Sequence, residues 1–392
     1  MRMSKYGLLG ALSMALLTSA AFAQAPTLQD SDVSARELPE RKAGERWVWS
    51  GDFASGLYGR SILVNADTGE YLGAVDAGWE GIKLDVPKSG DVFYNHGMFM
   101  ARGFRGPRVD VVEIINRKSL NKVGEIELPA KMIRGWPNLN HSAIGDDDRF
   151  LFLKFFAPAS SIGVVDLKQR RYVGEIETAG CAHVMAAGSR RFFALCGDGS
   201  ALAVTVDDNG AEVSRSRLTG LFDPGKDPLH GTGVRSGDDW YFMTQLGHVK
   251  VIDVSGTQIK LKKEWAAGEK VGIRAWVPAE ILQNLAFNKP TNRLFVLMAD
   301  ADLTPKGGGT DYHRQPGTEV WVWDAATGKR VSRIKLKDPQ SAIAVSDDAR
   351  PLLYSSSLWI PKLNVIDPEA GTLIRSIDVG QQPSLIQPVP VQ

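Results

Sequence analysis

Apolar and polar residues alternate with a period of two along most of the chain, and the alternation is interrupted at regular intervals by Asp or Asn followed by turn residues. SILVNADTGEYLGAV, IGVVDLKQRRYVGEIET and KLNVIDPEAGTLIRSIDV are three examples of one phrase: apolar strand, acid or amide, polar turn, second strand. The phrase occurs with its anchor at Asn65, Asn116, Asp166, Asp207, Asp253, Asp324 and Asp367. Short Asp and Asn side chains suit that place because they can accept hydrogen bonds from the turn backbone that follows them. The anchors recur about every 50 residues, the length of a four-stranded propeller blade, so each phrase supplies half a blade.

A looser phrase fills the intervals. LNHSAIGDDDRFLFLKF, CAHVMAAGSRRFFALCG and SAIAVSDDARPLLYSSS each read as strand, tight turn, apolar strand. It occurs six times against seven of the first kind. The deficit falls at the chain ends, where ERWVWSGD offers one strand and QQPSLIQPVPV another. Pairing them completes the count. The pattern therefore predicts an all-β fold, a seven-bladed β-propeller of four-stranded antiparallel blades over residues 46–392. The C-terminal strand is expected to close the ring by pairing into the first blade, which leaves no free sheet edge. One interval, from Asp253 to Asp324, is about 20 residues too long for a blade. Its surplus reads as rim loops, AAGEKVGIRAWVPAEI and the Gly-rich 300–319 segment.

The first residues set the compartment. Arg2 and Lys5 precede a short apolar run that ends in Ala21-Phe22-Ala23, the form of a secretory signal peptide over 1–23. Residues 24–45 are then an N-terminal arm, and the mature protein is expected in the periplasm. Removing 1–23 changes 46 basic against 45 acidic residues to 44 against 45, a formal charge of −1. Nothing in that balance points to nucleic acid or to an anionic membrane.

An exported chain holds its thiols in an oxidising space, so Cys181 and Cys196 are expected to pair. Folding GCAHVMAAGSRRFFALCGDGS at Gly188-Ser189 sets them opposite each other across a hairpin. Other chemistry is sparse. His96, His141, His183, His230, His248 and His313 show no close ligand spacing, and no metal is assigned to them. The acidic runs at Asp146 and Asp207 lack the alternation of a calcium loop. No nucleophile elbow or phosphate loop is present. Trp47, Trp49, Trp321 and Trp323 fall in strands and are expected in the core. Trp79, Trp136 and Trp276 fall in rim segments, where aromatic residues can anchor a partner.

Several stretches carry a resemblance: Arg105-Gly106-Pro107-Arg108-Val109-Asp110-Val111-Val112-Glu113, Ala157-Pro158-Ala159-Ser160-Ser161, the two cysteines with Phe192-Phe193 and Gly197-Asp198-Gly199, Trp276-Val277-Pro278, Asn292-Arg293-Leu294-Phe295-Val296, and Asp324 to Arg330. From about Phe53 to the C-terminus the chain resembles the heavy chains of the bacterial amine dehydrogenases, methylamine and aromatic amine dehydrogenase. The resemblance implies a subunit with no cofactor of its own. Its partner would be a light chain bearing tryptophan tryptophylquinone, in an assembly of two heavy and two light chains. Such an enzyme oxidises a primary amine to aldehyde and ammonia and passes electrons to a cupredoxin such as amicyanin or azurin. Phe53 corresponds to a phenylalanine lining the substrate channel. Arg102, Arg105 and Arg108 are open to either partner binding or blade bracing. Ala279-Glu280 and Asn288 depart from the family pattern, which has two glycines and a histidine there, and so does the segment from Pro305 to Gly317. Two other readings are a self-contained hydrolase of the lactonase type, which needs acidic and His side chains converging on the central channel, and a non-enzymatic interaction propeller.

Overall fold

The computed structural model describes residues 37–391 except 54–57, 77, 80, 104, 133–136, 272–273, 280–281 and 303–314. The expected signal peptide, the arm as far as residue 36, Trp136 and His313 lie outside the described residues.

Seven antiparallel sheets form the blades of a propeller. Blade 1 comprises Trp47–Asp52, Arg60–Asn65 and Tyr71–Asp76, and its innermost strand is Pro383–Pro388 from the C-terminus. That closing strand runs antiparallel to the first, with Trp49 opposite Gln387 and Gly51 opposite Leu385. The expected closure is therefore observed. The innermost strands of the other blades are Leu84–Asp85, Ser142–Ile144, Cys181–Ala186, Val234–Ser236, Leu285–Asn288 and Ala342–Val345.

The repeated phrase explains the outer half of every blade. Six of the seven anchors end the third strand and Asp207 directly follows it, and each begins the turn into the fourth. Asn65 Oδ1 accepts from the Asp67 N–H at 2.9 Å, Asp253 Oδ1 from Ser255 at 2.8 Å, and Asp367 Oδ1 from Glu369 at 2.9 Å. Asn116, Asp166, Asp207 and Asp324 make the same kind of bond. A register shift follows each turn, which adds twist to the outermost strand.

The apolar core is distributed between blades. Phe150, Phe152 and Val164 of blade 3 meet Val184, Phe192 and Val204 of blade 4, and comparable clusters fill the other interfaces. Burying one such phenylalanine contributes roughly 1.5–3 kcal/mol. Trp47, Trp49, Trp321 and Trp323 lie in these clusters, as the alternation predicts.

Two rim expectations are corrected. Trp79 is buried and bridges Met98 rather than standing free on the rim. The stretch around Trp276 is a β-hairpin, Glu269–Val271 with Arg274–Pro278, not a loop. It pairs with the far half of the long strand Arg293–Asp302 of blade 6. The Trp276 ring lies 5.5 Å from that of Trp321 at a tilt of 39°, and the Arg333 guanidinium covers both rings.

Candidate functional site

In a four-stranded meander, the loop from second to third strand and the linker into the next innermost strand lie on the same rim. This rim gathers Phe53, the Ala101–Pro107 turn, Phe156–Ser160, Gly197–Gly199, the Trp276 hairpin and Leu358–Trp359. Most of the stretches that carry the family resemblance therefore share one face. Exposed aromatic side chains concentrate there too: Tyr58 is 46% exposed, Phe156 52% and Trp359 65%.

Phe53 is partly buried at the end of the first strand. Its N–H donates to the Gln382 carbonyl at 3.1 Å. The preceding Asp52 carboxylate is fully buried, accepts from the N–H groups of Gln381 at 3.1 Å and Gln382 at 2.8 Å, and pairs with Arg60 at 3.0 Å. Phe53 is thus held against the linker that enters the closing strand. Arg102 and Arg105 are exposed across a tight turn, with the Arg102 N–H donating to the Arg105 carbonyl at 3.0 Å. Arg108 differs: it clamps buried Asp110 with two bonds of 2.6 Å and also donates to the Met132 carbonyl, so it braces the structure. Asn288 is likewise a brace, buried and donating to the carbonyls of Ser346 and Asp348 in blade 7.

Inside this rim the innermost strands carry a polar network. Lys83 Nζ lies 2.6 Å from Asp85 Oδ1 and 2.6 Å from Ser142 Oγ. The Ser142 hydroxyl reaches Asp85 Oδ2 at 2.7 Å, and His96 Nδ1 stands 3.2 Å from the same oxygen. Burial alone would raise the Asp85 carboxyl, but the Lys83 charge and the His96 contact outweigh it and hold Asp85 below the usual carboxylate range. Polar links continue around the inner edge, from the Gly233 N–H to Asn140 Oδ1 at 2.9 Å and between Gln283 and the Ile386 backbone.

Beside this network the rings of His141 and His183 stack at 5.8 Å with planes 10° apart. Desolvation keeps both neutral: His141 falls well below its ordinary value, and His183 is pushed down to about 4, further disfavoured by Lys154. Lys154 is 5% exposed, and burial pushes it down to about 8. His96, His141 and His183 therefore converge, while His248 pairs with Asp227 at an exposed site. His96, His141 and His183 are each about 45 residues from the next, close to the blade repeat, and that spacing is the sequence signal for their convergence. Asp85 also reaches this region, as a lactonase-type site would require, but its oxygens are engaged by Lys83, Ser142 and His96. Among the described residues no group of three or more His, Cys, Asp or Glu is placed to hold a metal ion.

The disulfide joins Cys181, which opens the innermost strand of blade 4, to Cys196, which closes the next. They stand directly opposite in the register, as the hairpin reading predicts.

Comparison with known proteins extends these observations. The family model described as methylamine dehydrogenase heavy chain matches residues 51–389. The methylamine dehydrogenase heavy chain of Methylorubrum extorquens is 28% identical over 334 residues, covering 83% of this chain and 78% of the relative. That of Methylophilus methylotrophus is 29% identical over 331 residues, covering 82% and 78%. A functionally unknown protein from Desulfotomaculum acetoxidans shares the fold with a TM-score of 0.56 at 10% identity, over 88% of this chain and 99% of that one. A putative 6-phosphogluconolactonase from Bacteroides uniformis does so with a TM-score of 0.55 at 11% identity and the same coverage. At such identities the structural likeness speaks for the fold alone.

Proposed function

The chain belongs to the methylamine dehydrogenase heavy-chain family, and on that premise we propose that it is the cofactor-free subunit of a periplasmic enzyme oxidising primary amines to aldehyde and ammonia. The quinone, tryptophan tryptophylquinone, belongs in this reading to a light chain, two of which join two heavy chains. The heavy chain supplies the docking face and part of the substrate channel, and electrons leave to a cupredoxin such as amicyanin or azurin. Residues 1–23 direct export as a signal peptide, 24–45 form an arm, and 46–392 the propeller.

One observation carries this reading: most of the resemblance-bearing stretches, three exposed aromatic rings and two exposed arginines share a single rim. Exposed aromatic and Arg side chains are the groups most enriched at interface hot spots. Phe53 sits on that rim, pinned through its backbone and through Asp52, and is proposed to line the amine route.

Purification from the native host tests the proposal. A small subunit should co-purify, with quinone absorbance bleached by primary amines. A chain that purifies alone, with no amine-dependent bleaching in any fraction that contains it, would overturn the reading. No helix among the described residues is long and apolar enough to cross a membrane.

A further inference from the structure

We propose that a cavity of about 1000 Å³ between blades 1 and 2 binds a medium-chain fatty acid, whose carboxylate is taken by Arg117 with Arg41 as a second cation on the cavity wall. The site lies on the rim opposite Phe53 and goes beyond the amine dehydrogenase reading.

Segments leaving the strands on that rim enclose the space. Residues 86–88 follow the innermost strand of blade 2, residues 388–391 end the closing strand of blade 1 and run on from it, and Arg117 and Lys118 lie in the turn from third to fourth strand of blade 2. Residues 38–41 cross between them. The Leu38 N–H donates to the Lys118 carbonyl at 2.7 Å, and Arg41 Nη1 donates to the Pro390 carbonyl at 2.7 Å. Leu38, Val86, Ile144 and Val389, each at least partly exposed, wall the cavity above Trp47 and Phe93 of the interblade cluster. A concave, mainly apolar space of this size with a few polar groups at its edge is the usual form of a small-molecule site.

The charged groups select the ligand. Five basic and two acidic side chains line the cavity. Lys83 is bound to Asp85, Lys118 to Glu37 at 3.0 Å, and Lys88 donates to the Asp146 carbonyl at 2.7 Å. Glu40, the second acid, is exposed. Arg117 and Arg41 differ, for among the described residues neither pairs with a carboxylate. Arg117 Nε donates to the Val92 carbonyl at 3.0 Å and Nη2 to the Pro87 carbonyl at 2.5 Å, which leaves Nη1 without a partner. Arg41 is held likewise, by the Glu45 carbonyl at 2.9 and 2.7 Å and by that of Pro390. Carbonyls fix a guanidinium without cancelling its charge. Burial lowers both groups from their ordinary values, and at Arg117 the attraction of Asp148 and Asp91 does not offset it. Both side chains are partly exposed and line the cavity, so a ligand within it can reach them. A carboxylate fits the guanidinium fork. The walls of Leu, Val and Ile require the rest of the anion to be hydrocarbon, and favour a chain over a flat ring.

The full mature chain should be titrated calorimetrically at neutral pH and fixed ionic strength with dodecanoate, kept below the concentration at which it forms micelles. Saturable one-to-one binding is expected. Dodecyltrimethylammonium has the same tail and the opposite charge, and should not bind. Acetate has the same head and no tail, and should not compete. Arg117→Gln should weaken binding at least ~10-fold, the loss of one charge-assisted pair. Val86→Asp, at a position 41% exposed, sets a negative charge in the wall without entering the core and should weaken binding as much. If Arg117→Gln fails to fold, Val86→Asp decides alone. Lys226→Met, at a lysine 86% exposed and outside the cavity, should leave binding unchanged. Three outcomes would overturn the proposal: no saturable binding, dodecanoate affinity that survives either cavity substitution in a folded chain, or equal binding of dodecyltrimethylammonium. Because the assay contains neither amine nor quinone, its failure is distinct from a failure of the amine dehydrogenase reading.

Discussion

The imidazole of His183 lies against the backbone of Gly231 so closely that a Cβ built on residue 231 would stand 2.2 Å from Nε2. Gly231 therefore sets the position of the ring as firmly as the bulge between Ala182 and Met185 sets its direction. Gly231→Ala is expected to displace His183, break its stack with His141 and cost about 1–3 kcal/mol through overpacking. Urea unfolding and the two imidazole resonances would check this. An unmoved His183 resonance with parental stability would show that the ring is not held by that contact.

Lys154 makes a pH-dependent contribution whose sign can be worked out. Its native ionisation lies at about 8 against an ordinary 10.5, so between those values the unfolded chain keeps a proton that the native chain has released. Stability then rises with pH across that window, and the burial penalty is fully present below pH 8. Lys154→Met should be more stable than the parent at neutral pH by roughly 2–3 kcal/mol, an advantage that shrinks as pH climbs past 8. His183 gives the acid-side counterpart: it stays neutral in the native chain down to about 4 while the unfolded residue charges near 6.5. Stability should fall as pH drops through that interval, and His183→Gln should flatten the fall. Denaturant midpoints measured from pH 4 to 10.5 would display both slopes.

The Cys181–Cys196 bridge closes a loop with a sequence separation of 15 residues. Replacing both by Ser should lower stability by about 3 kcal/mol on the chain-entropy account. Because the hairpin remains paired through its backbone, partner binding should persist. Loss of electron transfer with normal assembly would give the bridge a role beyond stapling.

Phe53→Ala should change rate or preference among short and aromatic amines in the assembled enzyme while leaving the unfolding midpoint nearly unchanged, since Asp52 anchors this corner. Steady-state kinetics across an amine series would decide it. An unaltered profile would remove Phe53 from the channel.

The blade count was legible because a turn-capping Asp or Asn is a local requirement, repeated wherever a third strand turns into a fourth. Ring closure was legible because the two ends are complementary halves of one phrase. The Trp276 hairpin was not, since its partner is the far half of Arg293–Asp302, and the Gly-rich text beside it suggested only loops. The polar network was hidden for a related reason. Lys83, His96, Ser142, Lys154 and His183 each sit in a different strand or linker, and only the ring brings them together. His183 is harder still, for a left-handed residue inside CAHVM leaves no trace in hydrophobic periodicity.

The strand that completes blade 1 is made from Pro383–Pro388, yet it pairs with Val48–Asp52 at the other end of the fold. A chain that lacks Pro383–Pro388 cannot assemble the closed ring, however many blades it has formed. Commitment to the native state thus waits for Pro383–Pro388, and a truncation ahead of that strand would leave an open arc with an unpaired strand edge, prone to aggregate with its own kind.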